Sequence, residues 1–274
     1  KIKIALAQIR CKLADKRENI RKIESKVTQA KQQGADLIIF PELTLTGYTL
    51  RDQIYDMAET IPGVSTTAIE RISKKTDTHI VFGMPELSTK TLATIYNTAV
   101  LVGPKGIIGK YQKMYLPTHS VFEEKRYFRP GYHTAVFETK LGKIGLIICY
   151  DVFFPEVSRL ARLEGAQMII CISASPATRR NFFETLTVAR AIENTIFFVY
   201  VNLVGVENGL QFWGGSRLIG PNGDTIVKAK YHEEDLIVRE IDYVDIRPTE
   251  AFVPLMKDLR PELFAELREL AENL

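Results

Sequence analysis

Residues Leu37-Ile38-Ile39-Phe40 run into Pro41 without a polar break, and the same continuous hydrophobicity recurs in residues 144–149 (Ile-Gly-Leu-Ile-Ile-Cys) and in Met168-Ile169-Ile170-Cys171-Ile172. A strand with one wet face alternates apolar and polar residues, so an unbroken apolar strand must be covered on both faces. That requirement points to a layered α/β fold in which helices or a second sheet enclose the strands.

The segments around these runs supply the covering helices. Residues 2–9 alternate as a strand and lead to a helix that Asp15 can cap, with Glu18 three positions on. Ile20, Ile23, Val27 and Ala30 give that helix one apolar face, and Gly34 ends it. In the second half a helix begins near Pro155, buries Val157, Leu160 and Ala161, and ends at Gly165. Each half adds a further helix and strand, 66–76 with 79–84 and 182–194 with 196–204. Each also carries a Gly-Pro-x-Gly turn between apolar runs, at 103–106 and 220–223, which reads as a hairpin. The spacing Gly103, Gly106, Gly109 is not a dinucleotide fingerprint. Two β-α-β halves with antiparallel extensions predict two mixed sheets packed face to face with helices outside, a four-layer αββα sandwich with pseudo-twofold symmetry. A single doubly wound sheet is the alternative. With no Ser/Gly-rich linker, residues 1–274 read as one domain. The segment 260–274 holds a terminal helix (260–273) with Leu263, Phe264, Leu267 and Leu270 on one face, expected to pack on the domain or on a partner subunit.

Composition narrows the function classes. The chain is 46% hydrophobic and 25% charged, which fits a soluble protein with a sizeable core. Its net charge of +3 is spread along the sequence, where a nucleic-acid binder would concentrate basic residues in a stripe or tail. No apolar run approaches the roughly 18 residues that cross a bilayer, and the amino-terminal run meets Arg10 too soon for a signal peptide. Cys11, Cys149 and Cys171 cannot all pair, so a reducing cytoplasm is the simplest setting.

Three segments put a polar or reactive residue where an apolar strand ends, the place where α/β folds bind ligands. These are Phe40-Pro41-Glu42, residues 109–117 with Lys113, and Ile148-Cys149-Tyr150-Asp151. Singly, each has an ordinary reading: a solvated loop carboxylate, an exposed lysine after a hairpin, a buried structural thiol. Together they make chemical sense. A thiol with a pKa near 8.5 needs a base or a cation to become a nucleophile. A carboxylate could take its proton, and an ammonium could favour the thiolate and then hold the oxyanion of a tetrahedral intermediate. Loss of one oxyanion donor costs roughly a hundred- to a thousandfold in rate. His79, His119, His133 and His232 show no ligand spacing or pairing signature, so neither a cysteine–histidine pair nor a metal is expected.

On these residues the chain resembles the nitrilase superfamily of carbon–nitrogen hydrolases, from Ala7-Gln8 to about Asp242. The motifs are Phe-Pro-Glu at 40–42, Lys-x-x-Leu-Pro at 113–117, and Cys149 with Pro155-Glu156 downstream. The resemblance implies a Glu–Lys–Cys triad at Glu42, Lys113 and Cys149, and a second glutamate at Glu124 that helps orient substrate and triad. It also implies the αββα sandwich, a homodimer or larger homo-oligomer formed through helices beside the site, and no metal or cofactor. The implied reaction is hydrolysis of a small amide through a cysteine thioester, with Lys113 and the backbone N–H of Tyr150 holding the oxyanion.

Substrate signals diverge. The nitrile-hydrolysing branch usually follows its nucleophile with Trp-Glu, whereas Tyr150-Asp151 stand here, as in amidase branches. The carbamoyl-amino-acid branch carries arginines where this chain has Val152-Phe153-Phe154, and that apolar patch argues against a carboxylate-bearing tail. Residues 121–128, 172–176 and 199–205 resemble the glutaminase domain of glutamine-dependent NAD synthetase, without its synthetase domain. Arg179 and Arg180 could hold a substrate carboxylate, but a solvated surface pair stands ahead of that reading. Tyr48, Phe153, Ser173, Ala174 and Ser175 are expected to line the pocket. N-carbamoyl hydrolysis, nitrile hydrolysis, a glutaminase-like activity and acyl transfer on the same scaffold stay open. A binding protein that lost the chemistry would show a broken triad, and this one is unbroken.

Overall fold

A computed structural model of the chain describes residues 1–91 and 93–273; Leu92 and Leu274, both inside the expected 1–274 domain, lie outside the described residues. The first half runs β1 (Ile2–Gln8), α1 (Lys16–Gln32), β2 (Leu37–Ile39), a short α2 (Ile54–Met57), α3 (Val64–Thr76), β3 (His79–Leu87), β4 (Ile95–Gly103) and β5 (Gly106–Gln112). The second half runs α4 (Glu124–Tyr127), β6 (Val136–Thr139), β7 (Gly142–Ile148), α5 (Pro155–Leu163), β8 (Met168–Ser173), α6 (Arg180–Asn194) and β9 (Phe197–Asn202). It continues with β10 (Val204–Glu207), β11 (Leu210–Trp213), β12 (Arg217–Ile219), β13 (Thr225–Lys228), β14 (Asp235–Ile241), α7 (Ile246–Phe252) and α8 (Pro261–Glu272).

Two six-stranded sheets result, ordered β14-β1-β2-β3-β4-β5 and β13-β12-β9-β8-β7-β6. In the first, β1, β2 and β3 are parallel, and β4, β5 and β14 run antiparallel to their neighbours. In the second, β7, β8 and β9 are parallel, and β12, β13 and β6 are antiparallel. Strand for strand the two sheets match, which is the pseudo-twofold expected from the repeated halves.

The apolar runs explain the layering. Alternate side chains of a strand point to opposite faces. Ile4, Leu6, Leu37 and Ile39 join the cluster that holds Ile144, Leu146 and Ile148 of the facing sheet. Their neighbours Ala5, Ala7, Ile38 and Phe40 pack instead on Ile23, Val27, Ile69 and Ile72 of α1 and α3. Asp15 accepts a hydrogen bond from the Glu18 amide at 3.0 Å at the start of α1. Gly34 takes φ +82° just beyond its end, a left-handed turn that glycine adopts without steric cost.

Three local expectations change. Val157 and Ala161 of α5 are buried, but Leu160 is 48% exposed, because that turn faces away from the sheet. The run expected as one strand over 196–204 breaks after Asn202, and β10 leaves the large sheet to form a separate hairpin with β11. Helix α8 forms as expected but buries no residue against the domain; Leu263, Phe264, Leu267 and Leu270 are exposed, which leaves packing on a partner subunit as the remaining expectation. Among the described residues no helix is long and apolar enough to cross a membrane.

Candidate active site

Strand ends from both sheets converge on one buried point. Glu42 follows β2, where Leu43 turns the chain at φ +49°. Gly83 of β3 lies directly beneath that turn: a Cβ there would stand 2.3 Å from the Leu43 nitrogen and 2.9 Å from the Glu42 Cα. Only glycine lets β3 approach the turn so closely. Lys113 follows β5, its amide donating to the Asn97 carbonyl of β4 at 2.9 Å. Cys149 follows β7 and takes φ +46°, a conformation costly for a residue with a side chain.

The side chains interlock. Lys113 Nζ donates to Glu42 Oε1 at 2.8 Å and to Glu124 Oε1 at 2.7 Å. Asn97 Nδ2 also donates to Glu42 Oε1, at 2.7 Å, and the Ala174 amide donates to Glu42 Oε2 at 2.7 Å. Tyr48 donates its hydroxyl to Glu124 Oε1 at 2.7 Å. Glu42 and Lys113 are fully buried and Glu124 is nearly so, so the single ammonium and two carboxylates have little solvent screening. An ionised carboxylate offers about four lone-pair positions. Three on Glu42 are taken, which leaves one toward a proton donor.

Burial and charge set the protonation states. Burial pushes the Cys149 thiol well above its ordinary range, and the Glu42 charge adds to the effect; Lys113 and the Ser173 hydroxyl oppose it without prevailing. The resting thiol is therefore neutral, and it would need a proton acceptor to act as a nucleophile. The ammonium does not by itself create a thiolate, as the sequence had allowed. Burial works against the Lys113 cation, but Glu124 and Glu42 hold its pKa well above the usual lysine range. Burial raises Glu124 to about 7, with the Lys113 cation pulling it down and Glu42 pushing it up.

A second tier of polar residues holds the loops. Asp151 is buried and accepts from the Tyr111 hydroxyl at 2.8 Å, the Tyr115 amide at 2.9 Å and the Ile148 amide at 3.0 Å. It thereby ties the Lys113 segment of one sheet to the Cys149 turn of the other. Burial raises its carboxyl to about 6. Asn202 bonds the amide and carbonyl of Ser175 and the Gly214 carbonyl. Glu207, from the β10–β11 hairpin, accepts from the amides of Tyr48 and Thr49 and so fixes the tyrosine that reaches Glu124.

Cys149 opens onto a cleft of about 230 Å³. Of the expected pocket residues, Phe153 and Ser175 line it, as does Tyr150. Ser173 and Ala174 do not: both are fully buried, because β8 extends to Ser173 and the Ala174 amide is turned to Glu42. Tyr48 and Glu124 line a neighbouring cleft of about 490 Å³. His119 also reaches the Cys149 cleft, where its ring packs 5.4 Å from Tyr150 and 5.7 Å from Phe122. Arg179 lines the cleft and Arg180 does not. Asn97, Gly83 and Glu207 went unrecognised in the sequence, and Asn202 appeared there only within the quoted segment 199–205. Asp151 stood within a quoted motif, and Asn97 is a polar residue early in a strand that turns apolar after Thr98. Among the described residues, no group of three or more His, Cys, Asp or Glu side chains is placed to hold a metal ion.

Comparison with known proteins agrees with this geometry. Residues 3–251 match the carbon-nitrogen hydrolase family model. A protein named nitrilase from Pyrococcus abyssi is 36% identical over 90% of this chain and 92% of its own. The glutamine-dependent NAD(+) synthetase of Aquifex aeolicus is 33% identical over 88% of this chain, but only 42% of its own length is covered. A solved glutamate-to-glutamine mutant of the amidase from Nesterenkonia sp. AN1, carrying the acetamide moiety of fluoroacetamide on its active-site cysteine, is 29% identical. It superposes with a TM-score of 0.84 over 97% of this chain and 96% of that one. With a family match over nearly its whole length, an αββα sandwich and its two carboxylates and lysine assembled behind a cysteine, the chain belongs to the carbon-nitrogen hydrolase family and is a hydrolase of non-peptide carbon–nitrogen bonds.

Proposed function

We propose that the chain is an amidase that converts a small carboxylic amide to acid and ammonia through a thioester on Cys149. The observation that carries this reading is the buried Glu42–Lys113–Glu124 network behind a neutral thiol. Glu42, with one acceptor position open, takes the Sγ proton as sulfur attacks the amide carbon. Lys113 and the backbone N–H of Tyr150 hold the oxyanion. The carbon–nitrogen bond breaks and Glu42 passes its proton to the leaving nitrogen, releasing ammonia. Water then attacks the thioester and gives its proton to Glu42, which returns it to sulfur as the acid departs. Glu124, fixed by Tyr48, keeps the lysine aimed at the reacting carbon. The solved amidase with a modified active-site cysteine supports the same assignment of the nucleophile.

The test is ammonia release from a panel of aliphatic amides, carbamoyl compounds and nitriles, with mass spectrometry of the trapped acyl-enzyme. Cys149→Ala is expected to abolish turnover of the amides while keeping the circular dichroism spectrum. Near-wild-type turnover in that variant would sink the proposal.

A further inference from the structure

We infer that Arg179 is the specificity-determining residue of this site and that the preferred substrate is the monoamide of a dicarboxylic acid, its free carboxylate held by the Arg179 guanidinium. The inference rests on the amidase reading above and extends it to the far end of the substrate.

The adjacent arginines Arg179 and Arg180 have different surroundings. Arg180 pairs with Glu184 at 3.6 Å and lies over the Tyr231 ring at 4.9 Å, so protein groups meet its charge. Arg179 is half-buried in the wall of the Cys149 cleft, and its guanidinium has no ion pair or hydrogen bond among the described residues. The surrounding wall is largely apolar, with Pro117, Phe122, Phe153, Phe182 and Phe183. A cation in such a wall costs desolvation unless an anion pairs with it, and a guanidinium fits a carboxylate through two parallel hydrogen bonds. The apolar patch at 152–154 had argued against a charged tail. In the fold, however, Val152 is buried beneath the cleft, Phe153 forms part of its wall, and the charge enters from Arg179 on a different strand–helix connection.

The electrostatics behind Cys149 give such an anchor a purpose. Once Glu124 ionises, above about pH 7, Glu42, Glu124 and Lys113 sum to one negative charge, which repels an anionic substrate at short range. A neutral amide needs no compensation, whereas a carboxylate-bearing one needs a cation within the cleft. Arg179 supplies it.

The experiment measures kcat/KM by ammonia release for the monoamides of succinic, glutaric and adipic acids, each beside the neutral aliphatic amide of equal chain length. Wild type is expected to favour at least one monoamide over its neutral partner by tenfold or more. Arg179→Gln should lower kcat/KM for that monoamide by about 10- to 100-fold, mostly through KM, and leave the neutral amide within about twofold. Arg179→Lys should restore part of the loss. Equal or better turnover of the neutral amide at all three lengths overturns the inference, as does an equal drop for both substrate types in Arg179→Gln. Absence of ammonia from every amide tested would overturn the amidase reading itself.

Discussion

Glu124 offers a direct measurement of what the buried network costs the fold. Its carboxyl is 4% exposed, and burial raises its pKa from an ordinary 4.5 to about 7. A carboxyl whose folded pKa lies above its unfolded value binds more protons in the native state between those two values. Stability therefore falls as pH rises through the window from 4.5 to about 7. At 1.36 kcal/mol for each pH unit, the ionised form costs about 3 kcal/mol above pH 7, of which about 2.5 kcal/mol develops between pH 5 and pH 8. Glu124→Gln keeps the shape and the acceptor oxygen for Lys113 and Tyr48 but cannot ionise. Chemical unfolding of both proteins at pH 5 and pH 8 is the assay. The variant should be within about 1 kcal/mol of wild type at pH 5 and more stable by about 2 to 3 kcal/mol at pH 8, while turnover collapses. The Asp151 carboxyl, raised to about 6, contributes the same slope to both proteins and cancels in the difference. Parallel stability profiles for the two proteins would refute the reasoning, since they would mean that Glu124 carries no unfavourable buried charge. The expected combination, greater stability with lost activity, is the trade-off of a site held against its own electrostatics.

Two further outcomes test the geometry. Gly83→Ala places a methyl 2.3 Å from the Leu43 nitrogen, and the atom that must yield is backbone; an overpacking cost of about 1–3 kcal/mol should appear as a lower Tm, with activity lost because the displaced turn carries Glu42. Tyr48→Phe removes a hydrogen bond to Glu124 that favours its ionised form, so the acid limb of the kcat/KM profile, expected near pH 7, should move up by about one pH unit; an unmoved limb would detach Glu124 from that limb.

How much of this was legible in the sequence follows from how local each signal is. The layered fold is written in residues 37–40, 144–149 and 168–172, because continuous apolar runs force cover on both faces over a few consecutive residues. Glu42, Lys113 and Cys149 are legible for the same reason: each stands where such a strand or hairpin stops. The Asp15 cap and the Gly34 end of α1 depend only on nearest neighbours. Other features depend on which strand lies beside which. Asn97 reaches Glu42 across 55 residues of sequence and Ala174 reaches it across 132, through strand order and sheet stacking that no local pattern encodes. Gly83 matters only because β3 lies under the Glu42 turn.

Exposure is decided at the same level. Leu160 belongs to an apolar helical pattern yet faces outward, and Ser173 and Ala174 stand at the end of the right strand yet are fully buried outside the Cys149 cleft. Arg179 and Arg180 are indistinguishable in sequence; the start of α6 sends one to the Cys149 cleft and the other to Glu184. The sequence by itself determined the layers and the reacting groups, because hydrophobic periodicity and strand ends are properties of short segments. Only the tertiary structure decided their protonation and which arginine lines the Cys149 cleft, because burial and long-range pairing set both.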